Sequence, residues 1–261
     1  MPGPSPFSTV ARVIETDRHV PFEQVFNFRD LGGYLADGGR RVRWRRLFRA
    51  DGLNRLQPEE AESFGELGIA TVVDLRTVEE AEHGGRFPTD VWDVRYYHRP
   101  MFDVLPDWPT DIGDPALYLA ERYLEMFASG RDAVATVFEL LTHPEAYPLV
   151  FHCAAGKDRT GITAGLVLHV LGVDDDGIAS DYALSGEAMQ RLIVWAREQQ
   201  GVFMQPRTPI PSAAVESRPE TMVAFLQAVR ARTGGGDGVL TSLGLDAGVG
   251  ERVRELLLEP V

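Results

Sequence analysis

Two short apolar runs stand out from the rest of the chain. Residues 69–76 read IATVVDLR, nearly continuous apolar character that finishes in charge, and residues 148–151 read PLVF. Runs of this length without alternation predict strands buried on both faces, as in a parallel sheet. Residues 94–98 (VRYYH) predict a further strand, and residues 26–34 (FNFRDLGGY) alternate before a Gly-Gly turn. Elsewhere apolar positions recur at helical spacing. A helix begins at Pro58 and runs through Leu67 to Gly68; another starts at Asp114-Pro115, turns Leu117, Leu119, Tyr123, Leu124 and Phe127 inward, and closes at Gly130. Residues 132–141 predict the next, and the small and apolar residues from Thr160 to Leu168 predict a buried one. Asp174-Asp175-Asp176 caps a helix carrying Tyr182, expected as a buried, hydrogen-bonded core residue. An amphipathic helix over 186–200, a Pro-rich break over 201–219, a helix over 220–230, a glycine linker at 234–236, a short segment at 240–243 and a terminal helix over 251–258 complete the pattern.

Strands alternating with helices predict an α/β fold: one domain with a central, mostly parallel sheet flanked by helices, and a helical C-terminal portion. The expected division is a flexible segment over residues 1–20, rich in Pro and Ser at its start, and a domain over 21–261, in which helices across 190–232 form a lid.

Composition narrows the partners. The 261 residues are 44% hydrophobic and 25% charged, with a net charge of −13. That charge disfavours nucleic acid and anionic membranes as bulk partners, so an anionic substrate must be attracted locally. The one basic run is RRVRWRRLFR at 40–49, which predicts a hairpin strand with a cationic face and aims Arg49 at an anion site. One cysteine excludes an internal disulfide and suits a reducing compartment. The opening residues lack the apolar core of a signal peptide, so a cytoplasmic location is expected. The longest apolar stretch, 162–173, is interrupted by His169 and too short to span a bilayer, so no stable membrane insertion is expected.

The chemistry concentrates in LVFHCAAGKDRTG, residues 149–161, where a strand passes through a glycine-containing turn into a helix. Such a turn presents backbone N–H groups to an anion. Cys153 lies where those groups and the helix dipole favour a thiolate nucleophile. Arg159 offers a planar fork for two phosphate oxygens. Gly156 permits the sharp turn, Ala154 and Ala155 let backbone approach the ligand, and Thr160 is placed to donate to the sulfur. The scheme requires no metal and no cofactor. A Walker loop is excluded, because Asp158 replaces the needed Ser or Thr and Phe151 stands at its first glycine.

The string from His152 to Gly161 resembles the signature loop of the cysteine-based protein-tyrosine phosphatases. Its Gly156-Lys157-Asp158-Arg159-Thr160 form is similar to the bacterial dual- and triple-specificity branch, some members of which also act on phosphoinositides. Four further segments resemble that branch: Asn27 to Gly33, Leu47-Phe48-Arg49-Ala50, Asp74-Leu75-Arg76, and Asp181-Tyr182 with Leu184-Ser185. The resemblance implies a tyrosine-phosphatase-like domain that acts on phosphotyrosine, and on phosphoserine, phosphothreonine or phosphoinositides, through a phosphocysteine. It implies Cys153 and Arg159 as catalytic, and His152, Ala154, Ala155, Gly156, Lys157, Thr160 and Arg49 at the substrate. Lys157 beside Arg159 would suit a substrate with several phosphates.

The proton donor is assigned first to Asp74, at the end of the central strand, with Glu79 or Glu80 pairing Arg76. Asp158 is the alternative within the loop. Asp111, in a Trp-Pro-Thr-Asp stretch that echoes the mobile loop of the eukaryotic enzymes with an extra Thr, ranks below Asp74. Two other classes remain: a phospho-ligand-binding module with a degenerate cycle, which the intact Cys153 and Arg159 disfavour, and a sulfur- or arsenate-handling Cys-loop enzyme, which the Lys157-Asp158-Arg159 string disfavours. The implied partner is a phosphorylated protein or a phosphoinositide.

Overall fold

The computed structural model describes residues 18–103, 113–199 and 215–261. In chain order the strands are β1 (Arg29–Asp30), β2 (Leu35–Ala36), β3 (Arg40–Val42), β4 (Leu47–Ala50), β5 (Thr71–Asp74), β6 (Arg95–His98), β7 (Leu149–His152) and β8 (Leu258–Pro260). The helices are α1 (Ala61–Gly65), α2 (Val78–Gly84), α3 (Pro115–Ser129), α4 (Arg131–Leu141), α5 (Asp158–Leu171), α6 (Asp175–Ala183), α7 (Ser185–Glu198), α8 (Pro219–Thr233), α9 (Gly236–Ser242) and α10 (Ala247–Leu257).

Five strands form the main sheet in the order β1-β4-β7-β5-β6. β1 is antiparallel to β4 and the other pairings are parallel. The absence of alternation in the central runs now has its cause. Leu149 and Phe151 of β7 enter the core on one face of the sheet, with Val73 of β5 and Leu47 of β4. Val150 enters a second core on the other face, with Val72, Phe48 and the rings of Phe22, Phe28, Phe64 and Phe87. Ala50, His152 and Asp74 are register partners, so β4, β7 and β5 end level. The residues just beyond these carboxyl ends therefore share one edge of the sheet, where open α/β folds gather their chemistry.

α5 follows β7 after the turn and buries every residue except Asp158 and His169. Its small residues are steric: a Cβ at Gly165 would lie 2.9 Å from the Met222 sulfur. α8 carries Met222, Phe225, Leu226 and Val229 into the same core and packs on α3 and α6. Residues 219–232 of the stretch expected as a lid are thus core helix, and its residues 200–214 lie outside the described residues.

The basic run departs from expectation. It divides between β4 in the main sheet and β3 in a second, antiparallel sheet ordered β2-β3-β8. Arg41 pairs with Glu259 at 2.8 Å, Arg43 donates to the Leu258 carbonyl at 2.9 Å and Arg45 to the Glu66 carbonyl at 2.8 Å, so no common cationic face forms. The terminal helix begins at Ala247, earlier than expected, and the residues after it become β8, with Glu259 opposite Arg41. Among the described residues, no helix is long and apolar enough to cross a membrane.

Candidate active site

β7 ends at His152 and α5 opens at Asp158, so the five residues from Cys153 to Lys157 make the turn. Gly156 holds a left-handed φ of 67°, and a Cβ there would sit 2.7 Å from the Ala50 carbonyl oxygen. Three successive carbonyls of the turn are held from outside. Ala154 O accepts from Gly52 N at 3.1 Å and Arg55 Nη1 at 3.3 Å. Ala155 O accepts from Asn27 Nδ2 at 3.0 Å, and Gly156 O from Arg49 Nη2 at 2.7 Å. Because each peptide is planar and trans, the N–H following each carbonyl faces the opposite way. The N–H groups of Ala155, Gly156 and Lys157 therefore turn inward beside the open N-terminus of α5, a concave set of donors suited to an anion.

The side chains that hold the carbonyls are themselves braced by two buried carboxylates. Asp51 accepts from the N–H groups of Phe26 and Asn27 at 3.1 and 3.0 Å and from Arg55 Nη2 at 2.5 Å. Asp181 accepts from Arg29 Nε at 3.0 Å, Arg49 Nη1 at 2.5 Å and the Tyr34 hydroxyl at 3.2 Å. Burial would raise the Asp181 carboxyl, but Arg29 and Arg49 outweigh it and hold it well below the usual range. Burial, with Arg29 nearby, pushes Arg49 down to about 10. Both Nη atoms of Arg49 are occupied and the side chain is buried, so it supports the turn from behind and does not reach the anion position, contrary to expectation. Nothing local marked Asn27, Asp51, Arg55 or Asp181 for this work, although Asn27 and Asp181 begin two of the family-like segments.

Arg159 meets Glu80 through both Nη atoms, at 2.5 and 2.8 Å. Glu80 is thereby engaged with Arg159 and not with Arg76, the partner expected from sequence. A guanidinium has five N–H donors in a plane. With one fork on Glu80, the Nε edge remains for a phosphate, and the Phe102 ring centroid lies 5.2 Å from Cζ. Burial would lower Arg159, but Glu80 outweighs it and holds the guanidinium firmly protonated.

The other expected site residues separate. Asp74 is buried, held by Arg76 Nη2 at 2.7 Å and by the Tyr96 hydroxyl at 2.8 Å, with His152 Nε2 at 3.7 Å. Burial would raise its carboxyl, yet His152 and Arg76 together hold it well below the usual range. His152 is itself buried, its Nδ1 lies 3.2 Å from the Cys153 carbonyl, and desolvation pushes its pKa down to about 4. It is a neutral ring beneath the turn, not a surface for substrate. The Thr160 hydroxyl, expected at the sulfur, is buried 3.5 Å from the Ala50 carbonyl. Asp158 opens α5 and its side chain is 29% exposed, with Lys157 Nζ 3.3 Å from Oδ1 and the Tyr123 hydroxyl donating to the same oxygen. Asp111 lies outside the described residues. Beside the turn, Ala155 packs against an apolar cluster of Phe26, Ala188, Met189, Leu192 and Trp195.

A strand, a turn with inward N–H groups and a helix N-terminus that bring one cysteine and one arginine together form an arrangement suited to a phosphate ester. The sequence model of the tyrosine phosphatase family matches residues 20–259, and the chain belongs to that family, whose members hydrolyse phosphoric monoesters. It is 31% identical over 244 residues to a Cupriavidus necator protein provisionally named a tyrosine-protein phosphatase, covering 90% of this chain and 87% of that one. It is 29% identical to the triple specificity protein phosphatase PtpB of Mycobacterium tuberculosis, over 89% of this chain and 96% of that one. A tyrosine-protein phosphatase of Nostoc commune is 27% identical, over 74% and 67% respectively.

Proposed function

We propose that the chain, as one phosphatase domain over the family-matched residues, removes phosphate from phosphotyrosine in proteins through a phosphocysteine. The observation that carries this reading is the outward pull on three consecutive carbonyls, which leaves inward N–H groups converging between Cys153 and the free edge of Arg159. In the first step Cys153 Sγ forms a bond to phosphorus as the ester P–O bond breaks, and an acid delivers a proton to the departing oxygen. In the second, water attacks the phosphocysteine, gives its proton to the same carboxylate, and Cys153 leaves as thiolate with release of inorganic phosphate. Arg159 and the N–H groups follow the charge on the three non-bridging oxygens through both steps.

The acid falls to Asp158. It stands at the edge of the turn with one carboxylate oxygen unoccupied among the described residues, while Asp74 is buried, doubly bonded and held as an anion. The apolar cluster of Phe26, Met189 and Trp195 beside Ala155 suits the ring of a tyrosyl ester. The triple-specificity name of the mycobacterial relative favours phosphoserine and phosphothreonine as additional substrates. Phosphoinositides have less behind them, since Arg49 is committed to Gly156 and Asp181 and Lys157 approaches Asp158.

Acid-quenched single turnover with a labelled phosphotyrosine peptide tests the mechanism. The expected result is label trapped on Cys153 in the parent and no turnover in Cys153→Ser. Near-parental turnover by Cys153→Ser overturns it. The values of kcat/KM for phosphotyrosine and phosphoserine peptides and a soluble phosphoinositide, measured side by side, test the substrate order.

A further inference from the structure

We propose that Tyr123 is a positioning residue for proton transfer, its hydroxyl fixing Oδ1 of Asp158 so that Oδ2 carries the proton to the leaving oxygen. The inference rests on Asp158 as the acid. Tyr123 projects from α3 and is completely buried, as is Tyr182 from α6. Their hydroxyl oxygens are 2.7 Å apart, and the Tyr123 hydroxyl donates to Asp158 Oδ1. A carboxylate can only accept, so the chain runs in one direction: Tyr182 O–H to Tyr123, and Tyr123 O–H to Asp158.

Packing alone does not account for two hydroxyls there. The Tyr123 ring meets Tyr182 and Phe225 edge to face, each at 6.1 Å between centroids, contacts that phenylalanine would make equally well. An unbonded hydroxyl in such surroundings is costly. Among the described residues, the only outlet for this pair is Asp158. Desolvation, reinforced by Asp158, also keeps the Tyr123 hydroxyl protonated at any working pH, so the donor never fails.

The same Oδ1 lies 3.3 Å from Lys157 Nζ, and Oδ2 has no hydrogen-bond partner among the described residues. The groups facing the carboxylate are thus Lys157 and Arg159 from its own segment, Tyr123 from α3 and, one hydroxyl further back, Tyr182 from α6. With Oδ1 doubly held, rotation of the carboxyl is blocked and the open oxygen keeps one direction.

The test is Tyr123→Phe, with Tyr182→Phe as a second variant that leaves the contact to Asp158 in place. With phenyl phosphate, whose leaving group needs a proton, Tyr123→Phe should lose about tenfold in kcat, and with p-nitrophenyl phosphate about twofold or less. Removing a donor from the ionised form also moves the basic limb of the kcat/KM profile to higher pH. Tyr182→Phe should give a smaller shift in the same direction, and Tyr123→Phe should add no leaving-group dependence to Asp158→Asn. Equal losses on both esters with an unmoved limb would show Tyr123 to be packing only and overturn the proposal, while a normal leaving-group effect in Asp158→Asn would leave the acid assignment standing. Equal losses in Asp158→Asn itself would remove the acid and this role with it.

Discussion

Arg49 donates to the carbonyl oxygen of Gly156 across 2.7 Å, from a strand more than a hundred residues earlier in the chain. Its other terminal nitrogen is bound to Asp181, so the side chain links the Cys153 turn to α6. A lysine has one nitrogen and cannot hold both positions. Arg49→Lys should therefore lower Tm and depress kcat/KM on a phosphotyrosine peptide and on a phosphoinositide by the same factor. A selective loss on the phosphoinositide would return Arg49 to the substrate.

Gly156 is left-handed and faces the Ala50 carbonyl at a distance no Cβ tolerates. The left-handed conformation costs a non-glycine residue about 1–2 kcal/mol, before any clash. Gly156→Ala should fold with reduced Tm and bind vanadate at least tenfold more weakly, since relief of the clash must move the turn. Unchanged vanadate affinity, read by competitive inhibition in residually active protein or by calorimetry, would mean that the turn adjusts without loss of the cradle.

Glu80 fixes the plane of Arg159 from the far side of the site. A charge-assisted pair of this kind contributes about 1.5–3 kcal/mol, and loss of one such contact in the transition state is on the order of tenfold in rate. Glu80→Gln should keep the shape and lower kcat by about that factor, with little change in KM. A rise in KM alone would make Glu80 a partner of the ground state only.

Stability should respond to acid through opposed groups. His152 falls to about 4 on burial, below its unfolded value, so its contribution is complete above about pH 6.5 and lost as pH falls toward 4. Asp30 is raised by burial to about 6, so it does the reverse, penalising the fold as pH rises from 4 to 6. Asp74 and Asp181, held low, add a loss confined to the region below pH 4. In His152→Gln the urea midpoint should fall less on acidification from pH 6.5 to 4 than in the parent, because the Asp30 contribution there is then opposed by His169, which burial holds low, and by Glu80, which Arg159 holds low against burial. A midpoint that falls as in the parent would remove His152 from the account.

Burial decides which parts of this arrangement were legible from residues alone. β5 and β7 erase the two-residue alternation because both faces of the sheet are covered, and that erasure is visible in the chain. The turn from Cys153 to Arg159 is visible for the same reason: strand, glycine and helix follow one another locally. β8 is invisible because its partner β3 lies more than two hundred positions away. The roles of the arginines and aspartates were also hidden. A phosphate-binding Arg and a buried brace are the same residue, and Arg49 differs from Arg159 only in what the fold brings to it. The place of Asp74 at a strand end points toward catalysis, and there it carries the bonds of Arg76 and Tyr96. Glu80 illustrates the converse: spacing suggested Arg76, and the sheet supplied Arg159.

The three hands on the turn come from Asn27, Arg49 and the Gly52–Arg55 bend, between 99 and 128 residues before the carbonyls they hold. No fragment of the chain that lacks β1, β4 or β7 can hold those peptides in place. Closing such long separations is slow, and the free energy gained on assembly arrives late. Affinity for an oxyanion should therefore appear with the last cooperative step of folding and not before it. An anion that binds only the assembled turn will in turn stabilise the native chain by mass action. During refolding, the recovery of vanadate binding should then lag the recovery of helical circular dichroism, which makes the oxyanion a reporter of topology and not merely of chemistry.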